Sequence, residues 1–194
     1  MQLEEGREDP GAGLMKTLQE IADGFPDAAR DIRLNLTAVL TESSLEPRLA
    51  RAIALSSAIA CRSEALATAL GDLDDDARDD ARAAAALMAM NNVFYRFRHM
   101  VGKPAYAEKP ARLRMTRLAK PRMSKAEFEL LSLAVSAIHG CEACVRAHER
   151  AVLEGGFGEE NVLDAVRIAS VVHAAAAAEW MAQAPSVSQN PSTR

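Results

Sequence analysis

Residues 140–148 read Gly-Cys-Glu-Ala-Cys-Val-Arg-Ala-His. Side chains three and four residues apart lie on the same face of an α-helix. A helix that begins near Cys141 therefore places Cys141, Cys144 and His148 on a single stripe. The unpaired N–H groups of the first helical turn favour an anion, and a thiolate is such an anion. The pattern predicts a dithiol/disulfide site with an imidazole base beside it.

Two other interpretations fit the same three side chains. Cysteine and histidine are zinc ligands, and the stripe supplies three of them. A structural zinc site needs a fourth ligand, and the sequence has no other CxxC motif and no HxxxH motif; an open, three-ligand catalytic zinc is also consistent with the pattern. The third interpretation is a pair of inert core cysteines. The spacing favours the redox site, and the residues alone leave all three open.

The bulk composition restricts the class of protein. The chain has 194 residues, of which 49% are hydrophobic and 4% aromatic, and its formal net charge is −4. This is enough for one sizeable core, and the frequent alanines suit close-packed helices. The slight acidity gives no reason to expect nucleic acid, and no uninterrupted apolar run is long enough to predict a membrane span.

The N-terminal residues give an expectation about location. Residues 1–9 lack the charged-then-apolar order of a secretory signal. Three cysteines without such a signal do not form a secreted disulfide framework. We therefore expect a cytoplasmic protein, where a pair of cysteines is more often catalytic or metal-binding.

Periodicity and breaker residues predict an all-α fold in a single domain. The polar, Gly/Pro-punctuated residues 1–13 and the Ser/Pro-rich residues 184–194 are predicted to be disordered tails, with the helical domain between them at 14–183. Three prolines make residues 102–121 the main irregular connection. Ser124 and Glu127 form a capping-box pattern that opens the helix preceding the cysteines.

A faint internal repeat divides the domain into two pseudo-repeated halves. Residues 48–100 and residues 125–182 each predict a helix, a break, a short helix, an acidic helix start and a long Ala-rich helix. The first copy lacks the paired thiols and the histidine that follows them. We interpret the copies as two packing units of one domain, with the chemistry in the second.

Glu129 is the carboxylate best placed to assist His148. It shares a helical face with Ser132 and Ser136, and that small, partly polar face is suited to packing against the cysteine helix. A carboxylate there can orient the imidazole and raise its basicity. From the residues alone, a solvated surface glutamate is the favoured alternative.

The remaining histidines, the third cysteine and the clustered methionines have structural interpretations. We expect a loop hydrogen bond for His139, a core position for His173, a surface position for His99, a small buried apolar role for Cys61, and gap-filling core positions for Met88, Met90 and Met100.

Ordered blocks on both sides of the cysteine pair extend the pattern. Together with the cysteine block they are residues 31–36, 90–96, 128–130, 134–138, 140–144 and 147–149. In content and spacing they resemble the AhpD alkylhydroperoxidases, a family of the carboxymuconolactone-decarboxylase-like superfamily. The resemblance spans roughly residues 15–183.

The resemblance implies an all-helical fold with pseudo-repeated halves, usually assembled as a homotrimer. It implies an antioxidant peroxidase with no tightly bound cofactor, whose cysteine pair cycles between a dithiol and a Cys141–Cys144 disulfide. Dihydrolipoyl groups, such as dihydrolipoamide or the lipoylated component of a dehydrogenase complex, are the implied reductant. The implied protein partner is the peroxiredoxin AhpC.

The resemblance also implies roles for individual residues. Cys144 is the peroxidatic thiol that becomes a sulfenic acid, Cys141 is the proton donor and resolving thiol, and His148 and Glu129 form a proton relay. Some members of the family carry a histidine between the two cysteines, where this chain has Ala143.

Three alternatives to the peroxidase function are a disulfide reductase adaptor that passes electrons from lipoyl groups to a peroxiredoxin, a zinc-binding helical module, and a decarboxylase that does not need the cysteines.

Overall fold

The computed structural model of this chain describes residues 10–183. Within that range every regular element is helical, which confirms the predicted all-α class. A 3₁₀ turn at Asp27–Ala29 follows the first of ten α-helices. The α-helices are α1 Pro10–Asp23, α2 Arg30–Thr41, α3 Pro47–Ala60, α4 Glu64–Ala69, α5 Asp75–Val101, α6 Pro104–Ala107, α7 Thr116–Ala119, α8 Lys125–Ile138, α9 Glu142–Glu154 and α10 Glu159–Gln183.

The N-terminal tail was predicted to extend to residue 13, which is too far along the chain. Helix α1 begins at Pro10, so residues 10–13 are helical rather than disordered. The sequence suggested a break there because it contains Pro10 and two glycines, yet proline is well tolerated in the first turn of a helix. Residues 1–9 and 184–194, the rest of the two predicted tails, lie outside the described residues.

Helices α3 and α8 form the centre of the fold. Both are buried around most of their circumference, as is typical of helices that are surrounded by other helices. Helix α3 contacts α5, α8 and α10, and helix α8 contacts α3, α5, α9 and α10. Since α5 of the first half packs on α8 and α10 of the second half packs on α3, the two halves share one core.

The two predicted halves have the same turn at their midpoint. After α3 the backbone N–H groups of Cys61, Arg62 and Ser63 bond to the carbonyls of Ser57, Ile59 and Ala58; after α8 those of His139, Gly140 and Cys141 bond to Val135, Ala137 and Ser136. In both turns the middle residue is left-handed, with φ of 60° at Arg62 and 64° at Gly140. This is the Schellman arrangement that ends a helix. The repeat read from the sequence is therefore a repeat of structure.

Helix α10 is long and apolar enough to cross a membrane by length and composition alone. In this fold it packs against α2, α3 and α8. Its side chains Ile168 and Val172 belong to the hydrophobic core.

The connection between α5 and α8 is held to the core by one buried carboxylate. Asp80, with no exposed surface, accepts hydrogen bonds from Arg117 Nε at 2.8 Å and from the backbone N–H groups of Arg122 at 2.8 Å and Met123 at 2.7 Å. These bonds fix α7 beside α8. The sequence predicted this stretch only as an irregular connection, whereas the structure contains α6 and α7 within it.

We predict that Asp80→Ala lowers the free energy of unfolding by about 3 kcal/mol, because it leaves two backbone donors and the Nε of Arg117 without their acceptor. Urea denaturation measures this change. The matched control is Asp79→Ala, since the Asp79 side chain is 46% exposed and also pairs with Arg117. We expect the control to cost less than about 1 kcal/mol. Equal losses in the two variants would contradict the anchoring role of Asp80.

Candidate active site

The two cysteines lie at the start of α9 and are joined by a disulfide. Cys141 is the N-cap residue, with φ −94° and ψ 90°, and α9 begins at Glu142, one residue later than the sequence suggested. The Cα atoms of Cys141 and Cys144 are 5.3 Å apart. Cys141 has no exposed surface and Cys144 is 6% exposed. The sulfurs therefore face each other beneath the surface, as the redox interpretation requires.

His148 lies one helical turn after Cys144 and is paired with Glu129. Glu129 Oε2 on α8 is 2.6 Å from His148 Nδ1 on α9, and both residues are buried. The favoured alternative of a surface glutamate was therefore wrong. A carboxylate at Nδ1 holds the proton on that nitrogen and leaves Nε2 as the basic atom. His148 Nε2 lies 3.3 Å from Met88 Sδ.

A cavity of about 330 Å³ opens beside Cys144 and His148. Its wall is formed mainly by apolar and aromatic side chains, which are Tyr95, Met115, Leu118, Ala143 and Ala147. Asn91 is the remaining lining residue. Because Ala143 has only a methyl group, the site has no second imidazole between the cysteines.

Sequence reasoning did not find this cavity wall. Met115 and Leu118 come from the connection that the prolines marked as irregular. The Asp80 anchor and the ion pairs made by Asp79 hold that connection against α5. Asn91 lies within a block already recognised by resemblance, but nothing assigned it a role. The available signal was a polar residue one turn from Met88 and one turn from Tyr95, on the inner face of an Ala-rich helix.

A hydrogen-bonded network fixes the turn that precedes Cys141. Asn92 Nδ2 donates to Ser136 Oγ at 2.9 Å, and Asn92 Oδ1 lies 2.9 Å from His139 Nδ1. Arg96 donates to the carbonyl of His139. Burial, assisted by the Arg96 charge, lowers the pKa of His139, so the neutral ring donates its Nδ1–H to Asn92. His139 thus binds a side chain of α5 rather than the loop that the sequence suggested.

For the other side chains to which the sequence assigned structural positions, some predictions are confirmed and others are wrong. Met88 is buried and contacts the site, and His99 is exposed, as expected. Met100 is 77% exposed, so its predicted core position was wrong. His173 is also exposed, on the outer side of α10. Its Nδ1 lies 3.3 Å from Sγ of the half-buried Cys61.

No set of metal ligands in the described part of the chain supports the zinc interpretation. Both sulfurs of the stripe are engaged in the disulfide. Among residues 10–183 no group of three or more His, Cys, Asp or Glu side chains is arranged to hold a metal ion.

Comparison with known proteins identifies similar chains. The carboxymuconolactone decarboxylase family matches residues 104–186. The chain is 58% identical over 169 residues to the alkyl hydroperoxide reductase AhpD of Anaeromyxobacter sp. (strain Fw109-5), covering 84% of this chain and 91% of that protein. It is 54% identical over 169 residues to the AhpD protein of Anaeromyxobacter dehalogenans (strain 2CP-C), with the same coverage. It is 44% identical over 165 residues to the AhpD protein of Rhodospirillum centenum, covering 82% of this chain and 89% of that protein.

Cys61 is expected to be a poor nucleophile. Burial raises the pKa of its thiol to about 11, and the thiolate is the form that reacts. In the disulfide form of the protein it is the one free cysteine of the three. We predict that iodoacetamide alkylates it slowly near pH 7, and that the rate rises about tenfold per pH unit up to about pH 10. Mass spectrometry measures the labelling. Rapid labelling near neutral pH would contradict this prediction.

Proposed function

Since this chain belongs to the AhpD family of alkyl hydroperoxide reductases, we propose that it reduces organic hydroperoxides with the Cys141–Cys144 pair and so acts as an antioxidant enzyme. The observation that carries the proposal is the buried Glu129–His148 pair, 2.6 Å apart, on the cavity that Cys144 also lines. A peroxidatic thiol needs a base, a resolving thiol within reach and an opening for its substrate. These four residues and this cavity supply all three.

The first step forms the thiolate. In the dithiol state, His148 Nε2 takes the proton from Cys144, directly or through a water molecule, and the Glu129 carboxylate stabilises the imidazolium that results. The start of α9 adds to this, because the macrodipole and the free N–H groups of the first turn favour a negative sulfur at Cys144. Because Glu129 and His148 are buried, the carboxylate and the imidazolium are kept out of water, and their attraction is stronger than it would be in water.

The second step consumes the hydroperoxide. The Cys144 thiolate attacks the terminal oxygen of ROOH, so an S–O bond forms and the O–O bond breaks. The departing alkoxide takes the proton from His148 and leaves as ROH. Cys141 then attacks the sulfenic sulfur, the disulfide forms, and hydroxide leaves with the Cys141 proton as water. The disulfide in this structure corresponds to the state at the end of this step.

The third step restores the dithiol. A thiolate of a dihydrolipoyl group attacks the disulfide, and its second thiol completes the exchange, leaving a lipoyl disulfide. We propose attack at Cys144, because this residue lines the cavity whereas Cys141 has no exposed surface. The reductant is dihydrolipoamide or the lipoylated component of a dehydrogenase complex, and no tightly bound cofactor takes part.

The size and lining of the cavity favour an organic hydroperoxide over an inorganic peroxide as the substrate. Its volume of about 330 Å³ and its mainly apolar wall give an alkyl or aryl group a surface to bury. Further proposals that the family resemblance implies are a homotrimer, a cytoplasmic location and the peroxiredoxin AhpC as partner.

We predict that His148→Gln and Glu129→Gln each slow peroxidase turnover by about 10²- to 10⁴-fold, the usual contribution of a positioned base. Cys144→Ser should abolish turnover. The assay follows loss of cumene hydroperoxide with dihydrolipoamide as reductant. Glu127→Gln is the matched control on the same helix, because Glu127 binds the backbone of Ser124 as a cap, and glutamine keeps that role. Turnover by Cys144→Ser at the wild-type rate would refute the assignment of Cys144.

A second experiment separates direct peroxidase activity from an adaptor function. We predict that the protein consumes hydroperoxide with dihydrolipoamide alone, and that added peroxiredoxin AhpC increases the rate. The near-complete burial of both cysteines suits a small reductant such as dihydrolipoamide, which can reach Cys144 through the cavity. Consumption that occurs only when the peroxiredoxin is present would instead establish the adaptor function.

A further inference from the structure

The cavity beside Cys144 is lined by a buried carboxamide that the reaction above does not use. Asn91, on α5, is 4% exposed and lines the cavity together with Cys144 and His148. Its Oδ1 is buried and has no hydrogen-bond partner among the described residues. The adjacent Asn92 is equally buried, but its amide binds both Ser136 and His139. The Oδ1 atoms of the two neighbouring amides therefore differ, since that of Asn92 is bonded and that of Asn91 is not.

A buried amide oxygen without a hydrogen-bond partner is unfavourable in a largely apolar cavity wall. A buried polar group that finds no partner loses its hydration without compensation, and most buried polar atoms in proteins are bonded. The other side chains around Asn91 are largely apolar, so an apolar residue of similar shape would fill this place at lower cost. A polar residue at such a position is explained when a ligand supplies the missing partner.

We propose that Asn91 forms a hydroperoxide-binding subsite, an inference that rests on the function proposed above. One carboxamide offers both a donor and an acceptor, and its terminal torsion is broad enough to present either atom to the cavity. A hydroperoxide needs both partners. Its O–H donates to the amide oxygen, and the oxygen that bears the alkyl group accepts from the amide N–H.

The subsite acts on the bond-breaking step without exchanging a proton or an electron. While the Cys144 sulfur bonds to the terminal oxygen, negative charge grows on the oxygen that carries the alkyl group. The Asn91 N–H donates to that oxygen and stabilises it until the His148 proton converts it into an alcohol. Because Asn91 and His148 line the same cavity, one bound hydroperoxide can reach both.

The role predicts an effect confined to one half of the catalytic cycle. The lipoyl dithiol contains no peroxide group, so reduction of the disulfide does not need Asn91. Formation of the thiolate depends on His148 and Glu129, so it does not need Asn91 either. Loss of the amide should therefore slow only the reaction of the reduced protein with hydroperoxide.

The test compares Asn91→Leu, which replaces the amide by an apolar group of similar shape, with Asn91→Ala, which removes the amide and leaves space. In single turnovers of the reduced protein with cumene hydroperoxide, we expect both variants to form the disulfide about 10- to 100-fold more slowly than wild type. The rate of disulfide reduction by dihydrolipoamide and the ultraviolet titration of the Cys144 thiolate should be unchanged.

Thermal stability provides a second measurement. If the role of Asn91 were purely structural, replacing it would lower the midpoint of thermal unfolding. Asn91→Leu should keep or raise the midpoint of thermal unfolding, because it removes a buried polar group that has no partner. Asn92→Leu is the matched control, and it should lower that midpoint because it breaks the bonds to Ser136 and His139.

Three results would overturn the subsite. They are wild-type peroxide rates in both Asn91 variants, equal losses in the oxidative and reductive half-reactions, and a loss of rate that follows a loss of stability. Each differs from failure of the proposed function, in which the wild-type dithiol itself would form no disulfide with hydroperoxide.

Discussion

The buried hydrogen bond between Glu129 and His148 is the contact on which the site depends. It joins the central helix α8 to the cysteine helix α9 at 2.6 Å. A carboxylate and an imidazole taken out of water are tolerable only when they satisfy each other, so the pair fixes how these two helices meet. The same bond sets which ring nitrogen carries the proton. One pair of side chains thus both joins the two helices and orients the proposed base.

The repeated turn shows how a general helical scaffold is adapted to a reaction. In the first half Ser63 occupies the N-cap of α4, and its side chain accepts a hydrogen bond from the backbone N–H of Leu66. In the second half Cys141 occupies the same position at the start of α9 and makes no such bond. A serine N-cap contributes about 1 kcal/mol to a helix. The side chain of Cys141 is instead engaged in the sulfur–sulfur bond to Cys144.

Local signals in the sequence predicted much of this structure because they act through neighbouring residues. The capping box at Ser124, the turn at Gly140 and the stripe from Cys141 to His148 depend on helical spacing, and all are present. The burial of Glu129 depends on how α9 packs on α8, which spacing alone does not determine. Composition also misplaced Met100 and His173, since an Ala-rich helix gives little contrast between its inner and outer faces.

The cavity was the part least accessible to sequence reasoning. Its wall combines Tyr95 from α5, Leu118 from α7 and Ala147 from α9, which meet only in the folded chain. The spacing of Asn91 from Met88 and Tyr95 was not enough to single it out, because its neighbour Asn92 has the same side chain and a purely structural set of bonds. What distinguishes the two amides is the absence or presence of partners, and that is a property of packing.

In the proposed cycle Cys141 and Cys144 bond and separate reversibly as hydroperoxide and dithiol are consumed. Peptide mapping by mass spectrometry tests it most directly, on reduced protein treated with one equivalent of cumene hydroperoxide and then with dihydrolipoamide. The account predicts the loss of two hydrogen atoms within residues 141–144 after the first reagent and their return after the second. Overoxidised Cys144 without a disulfide, or a bond that involves Cys61, would contradict it.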